Sequence, residues 1–196
     1  MRWSDFLKAH LGHIFAADFF TVEVLTAFGL VRYHVLFFID IATRRVHIGG
    51  VIHGPDGFWM KQQVLDLTNP VDGFLWDAKY LILDRDPICS KDVKGRLEDE
   101  GVKVVTLPAK SPNLNAYAER FVLSIKSGLS KIIPLGERHL RHCVQEFSRQ
   151  YHQERPRQGL GNRLIEPAAA ANGDGGRVGC RERLSGVLRF YHRHAA

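Results

Sequence analysis

The chain has 196 residues, 45% of them hydrophobic, 24% charged and 10% aromatic, and Lys plus Arg outnumber Asp plus Glu 27 to 21, giving a net charge of +6. That is the composition of one packed domain whose basic excess suits a polyanionic partner, not of a disordered or fibrous chain. Cys89, Cys143 and Cys180 lie far apart without a CxxC pair, which excludes a disulfide framework or zinc ribbon and points to a reducing, cytoplasmic setting. No apolar run approaches the roughly 18 residues of a membrane span, and Met1-Arg2-Trp3-Ser4-Asp5 does not open a signal peptide. The charge is unevenly spread: residues 1–100 carry a net −3 and residues 101–196 a net +9.

Residues 1–12 read as a linker remnant. Residues 13–24 (HIFAADFFTVEV) are apolar on both alternating faces, which predicts a strand covered on both sides and central in a sheet. After a turn over residues 25–30, residues 31–42 and 45–52 predict two more strands, and the short links make all three antiparallel. Helical spacing follows from Phe58 to Thr68, then a short buried strand, Tyr80 to Leu83, ending at Asp84. Ser90 to Glu100 predicts a helix with a serine cap, closed by Gly101, and Val102 to Leu107 a fifth strand. Two helices are expected over about 113–132 and 137–154. Residues 168–179 read as a glycine-rich linker, and residues 181–196 as a basic tail with one candidate strand, 186–191. Three antiparallel strands followed by helical crossovers give an α/β layout that resembles the ribonuclease H-like order: a mixed five-stranded sheet with later parallel additions, flanked by helices.

Three carboxylates stand out. Asp18 sits inside Ala16-Ala17-Asp18-Phe19-Phe20, the most apolar strand of the chain, where an ionised group needs a partner or a cation; the alternative is a strand that ends earlier, with Asp18 at an edge. Asp84 closes a strand at its carboxyl end, where α/β sheets place ligands, although Asp also forms turns there. Glu119 shares a helical stripe with Asn115, Val122 and Lys126, rotated roughly 95° from the apolar stripe of Ala118, Phe121, Ile125 and Leu129. It therefore stands at the margin of the core, or is simply a solvated helix glutamate. Such oxygen donors suit hard divalent cations, and two ions about 3.5–4 Å apart can clamp an in-line phosphoryl displacement. In such a site Asp18 would bridge both ions while Asp84 and Glu119 hold one each.

At the level of motifs, the chain resembles the catalytic cores of insertion-sequence transposases and retroviral-type integrases, the DDE polynucleotidyl transferases. The resemblance rests on Ala17-Asp18-Phe19-Phe20-Thr21-Val22, Phe38-Ile39-Asp40-Ile41-Ala42-Thr43, Leu83-Asp84-Arg85-Asp86-Pro87, the run from Leu107 to Arg120 (LPAKSPNLNAYAER), and Tyr151-His152-Gln153-Glu154-Arg155-Pro156-Arg157. It covers residues 12–167, so that 13–167 is the expected catalytic core and 168–196 a linker and tail. It implies that Asp18, Asp84 and Glu119 form the metal-binding and catalytic triad, with Asp86 the rival of Asp84, and that Asp40 closes a turn. It also implies two Mg²⁺ ions, with Mn²⁺ able to substitute, and DNA contacts from Lys110, Asn115, Arg120, Lys126 and Lys131. The implied activity is cleavage and strand transfer on transposon-end and target DNA, by a homo-oligomer at the bacterial nucleoid. The alternative is an inactive remnant that binds DNA non-specifically. Tyr151-His152 and Pro156-Arg157 stand where the family commonly has Tyr-Asn and Pro-His.

Overall fold

The computed structural model describes residues 3–84, 88–108, 115–167 and 177–193. Helix α1 (Trp3–His10) and a 3₁₀ turn (Leu11–His13) lead into β1 (Ile14–Thr26), β2 (Gly29–Asp40) and β3 (Val46–Ile52). Then come α2 (Gly57–Thr68), β4 (Tyr80–Leu83), α3 (Lys91–Asp99), β5 (Lys103–Thr106), α4 (Ala116–Leu129) and α5 (Gly136–Gln153). A two-stranded hairpin, β6 (Val178–Arg183) and β7 (Leu188–Arg193), follows. Five strands form one sheet in the order β3-β2-β1-β4-β5, with β1 at its centre. β1, β2 and β3 pair antiparallel, while β4 pairs parallel to β1 and β5 parallel to β4. This is the mixed arrangement expected from short links early and helical crossovers late.

The double-sided apolarity of β1 has a direct structural meaning. Ile14, Ala16, Phe20 and Val24 join one core with α4 and α5, through Ala118, Phe121, Ile125, Leu140, Val144 and Phe147. Phe15 and Ala17 point the other way, into a second core with α2 and α3, through Met60, Val64, Leu67, Val93 and Leu97. Successive side chains alternate faces, so a strand with a helix layer on each side must be apolar at every position. Local signals set several boundaries. Asp56 accepts from the Trp59 amide at the start of α2, Ser90 accepts from the Val93 amide at the start of α3, and Gly101 ends α3 with φ +82°.

Two segments differ from the sequence expectation. Residues 3–10, inside the stretch read as linker, are helical, and Phe6 packs edge-on against Tyr80 at a ring separation of 5.1 Å. The candidate strand of the tail is half of a hairpin: Val178–Arg183 pairs with it, Leu188 is buried in the core of α4 and α5, and Arg183 reaches Glu146 and Glu154 of the α5 region. The polar, glycine-containing sequence of β6 hides its strand character, because its stability comes from docking and not from alternation.

Candidate active site

β1 and β4 carry the first two candidate carboxylates. Their parallel register pairs Ile14 with Tyr80, Phe15 with Leu81 and Ala16 with Ile82. Continued by two residues, that register sets Asp18 level with Asp84 on neighbouring strands, which run about 4.8 Å apart. Ala16 and Ile82 both face the core of α4 and α5, and a two-residue period gives Asp18 and Asp84 the same face. Both also line one small crevice whose apolar walls, Ala17, Phe19, Leu36, Met60, Leu83 and Cys89, belong to the core of α2 and α3 on the other face. Asp18 is half-buried and accepts from the Phe19 amide at 2.7 Å, whereas Asp84, just beyond the end of β4, is exposed.

The third candidate comes from the helix on that face. α4 packs against β1 and β2, burying Ala118, Phe121, Ile125 and Leu129. Glu119 lies in its first turn, half-buried at the margin of this stripe, as the angular arithmetic requires. Asp18 and Asp84 thus line one crevice, while Glu119 stands on the helix that covers the face carrying Ala16 and Ile82. Among the described residues, however, no group of three His, Cys, Asp or Glu side chains is gathered to hold a metal. Two hard oxygen donors side by side fit a divalent cation; the third ligand is not drawn in to them. Asp86 lies outside the described residues, as does the stretch 109–114 that leads into α4.

The residues expected to touch DNA separate into groups. Arg120, Lys126 and Lys131 are exposed. Asn115 is 5% exposed, with its amide oxygen lacking a hydrogen-bond partner, so it shapes the start of α4 from inside. Lys110 lies outside the described residues. Asp40 accepts from the amides of Ala42 and Thr43 and from the Thr43 hydroxyl, closing the turn between β2 and β3.

Arg44, Arg155 and Arg157, which the sequence does not single out, lie on another flank of α4 beside the expected Arg120. A cleft of about 590 Å³ is walled by Arg44, Arg120, Arg155 and Arg157 together with Tyr117 and Tyr151. The Arg44 guanidinium stacks 3.7 Å over the Tyr117 ring and that of Arg157 3.5 Å over the Tyr151 ring. Nothing local could reveal it, because the turn after β2, helix α4 and the segment after α5 meet only in the fold.

This mixed five-stranded sheet with helices on both faces is the ribonuclease H-like fold of integrase cores. Residues 100–164 match the integrase core domain family. The integrase catalytic core of HTLV-2, solved in complex with magnesium in a dimeric form, superposes with a TM-score of 0.58 at 14% identity, over 79% of this chain and 93% of that one. A bovine immunodeficiency virus (BIV) integrase catalytic core gives a TM-score of 0.55 at 13% identity, over 79% and 91%. A chain of the simian T-cell lymphotropic virus intasome, bound to the PP2A regulatory subunit B56 gamma, gives 0.56 at 14% identity, over 89% and 64%. No curated protein matches. The chain thus shares the fold of these integrase catalytic cores, and its residues 100–164 carry the match to the integrase core domain. Among the described residues, no helix is long and apolar enough to cross a membrane.

Proposed function

We propose that this chain is a transposase- or integrase-type core that cleaves and joins DNA strands by metal-dependent phosphoryl transfer. The observation that supports it most is that Asp18 and Asp84 line one crevice, near the ends of the paired strands β1 and β4. Asp18, Asp84 and Glu119 would hold two Mg²⁺ ions, with Asp18, on the central strand, the ligand shared between them and Mn²⁺ able to substitute. When bound, the ions supply a more acidic attacking water or 3′-hydroxyl and stabilise the departing 3′ oxygen. The protein carries these carboxylates on one sheet and one packed helix, which limits how far each must move to meet the phosphodiester. Arg120, Lys126 and Lys131, with Lys110 ahead of α4, hold the DNA backbone; Asn115 sets the position of Glu119. Two transposon ends and a target must be brought together, so the working unit is a homo-oligomer acting at the nucleoid in the cytoplasm.

The test is nicking and strand transfer on labelled duplex DNA with Mg²⁺ or Mn²⁺. Asp18→Asn, Asp84→Asn and Glu119→Gln should each lower turnover by about 100-fold or more, with DNA binding retained. Wild-type rates in all three variants would overturn the assignment. A second reading is a DNA binder without turnover, which the net +9 of residues 101–196 supports. Salt-sensitive binding with no product under either metal would establish it.

A further inference from the structure

The four-arginine cleft lies away from the carboxylates. Tyr117, on its wall, and Glu119 point about 160° apart around the axis of α4. The cleft is unusual in its charge balance. Among the described residues, none of its lining groups is acidic, and none of the four arginines forms an ion pair with a described residue. Arg155 donates to the Ser124 hydroxyl and Arg157 to the Tyr151 carbonyl at 3.4 Å. An Arg44 terminal nitrogen and Arg157 Nε are buried with no hydrogen-bond partner. Burial pulls the Arg157 guanidinium below its ordinary value, and Arg155 pulls the same way. Buried, unpartnered donors of this kind carry an unmet desolvation cost. The stacking on Tyr117 and Tyr151 covers one face of each guanidinium plane and fixes its orientation on the cleft wall. Arg44 is also held with φ +65°, a backbone region that long side chains seldom adopt.

We infer that this cleft is a second nucleic-acid site, a clamp for a backbone phosphate held by Arg44 and Arg157 on the flank of α4 opposite Glu119. A phosphodiester oxygen pair matches the guanidinium fork in geometry and charge. Arg120 and Arg155, exposed at the rim, hold the neighbouring phosphates. The clamp fixes where the backbone runs relative to the carboxylates without touching the reacting phosphate. It stands on the cleft's own residues, whether or not the triad turns over.

The experiment is equilibrium binding of a fluorescent 20-base-pair duplex to the full chain, followed by anisotropy across a range of salt concentrations. Arg44→Asn is the leading variant, because asparagine suits the positive φ at that position and removes the charge. Arg157→Gln is the second, and Arg44→Lys keeps the charge but loses the fork. Each charge-removing variant should weaken binding roughly tenfold and reduce the salt slope by about 1, the value for one phosphate contact. Arg44→Lys should keep the slope and lose part of the affinity. Unchanged affinity and slope in Arg44→Asn and Arg157→Gln, with thermal melts like wild type, would overturn the clamp. So would inorganic phosphate protecting the chain from melting in an Arg44-dependent way while duplex affinity stays at wild type, since the cleft would then take a free anion only. Failure of the catalytic reading shows separately, as absent turnover with this binding intact.

Discussion

His152 ends α5 with its ring turned inward, and its Nε2 accepts from the Val46 amide at 3.0 Å. An acceptor nitrogen must be unprotonated, and burial holds His152 below its ordinary value; Glu166 pulls it up, and Arg45 and Arg157 pull it down. His47 is lowered as well, by burial and by Arg45. The unfolded chain binds these protons near the ordinary histidine value of about 6.5, and the folded chain only at lower pH. Stability is therefore full above about pH 6.5 and falls as pH drops through the folded values. Thermal melts between pH 7.5 and 5 should show this loss, and His152→Gln should flatten it while keeping an acceptor for Val46. His152→Phe should cost about 1–3 kcal/mol at neutral pH, the penalty of a buried amide left unsatisfied; a melt like wild type would remove His152 from this role. Residues differ sharply in how far the sequence discloses them. Asp18 is legible because a carboxylate breaks an otherwise apolar strand, and Asp40 because a polar cluster follows it. Arg44 and Arg157 look like ordinary surface arginines until the fold lays each on a tyrosine ring.

Helices α4 and α5 meet over aromatic rings, Phe121 packing edge-on against Tyr151 at 5.0 Å and tilted on Phe37 at 4.7 Å. At Gly128 α4 meets a ring of α5, and a Cβ there would sit 2.6 Å from the Phe147 ring. Gly128 lies inside a helix, so alanine there gains helix propensity of up to about 1 kcal/mol. Overpacking against a fully buried ring costs about 1–3 kcal/mol, and Phe147 is only 1% exposed. Gly128→Ala should therefore be net destabilising in denaturant melts, and Gly128→Ala with Phe147→Leu should recover part of the loss. A more stable single variant would show that the ring moves aside freely. This approach also explains what was legible among the elements. Helices α3 and α4 and strands β1 to β5 announce themselves by caps, stripes and apolar runs that work locally. α1 and β6 do not, because each owes its order to a partner remote in sequence: Tyr80 for α1, and the α5 region for β6.

Across the whole molecule, the basic second half turns inward at one point. Arg183 of β6, 13% exposed along its side chain, bridges Glu146 and Glu154 at 2.8 Å each, while Arg181 adds a contact to Glu154 at 3.2 Å and Arg149 one to Glu146. The Arg183 hydrogen bond is the main force holding the Glu146 carboxyl below its usual range, against the opposing effect of burial. Without Arg183 the Glu154 carboxylate, 2% exposed along its side chain, would lose its best-shielded counter-charge. Removing one partner of a buried ionic cluster costs about 3–5 kcal/mol, whereas replacing the whole cluster with apolar groups can be nearly neutral. Arg183→Met should thus destabilise the chain by that order and expose the hairpin to proteolysis ahead of the sheet. Combining it with Glu146→Gln and Glu154→Gln should restore most of the loss, because no charge is then left stranded. The lowered Glu146 value adds a pH signature: its contribution is present above the ordinary carboxylate range near 4.3 and is lost as pH falls through the folded value. Wild-type hairpin protection, read by amide hydrogen exchange at Val178–Arg183, should weaken in that acidic window, and in Arg183→Met it should already be weak at pH 7. Equal protection of the two proteins at pH 7 would show that Leu188 and its apolar neighbours hold the hairpin without the ion cluster.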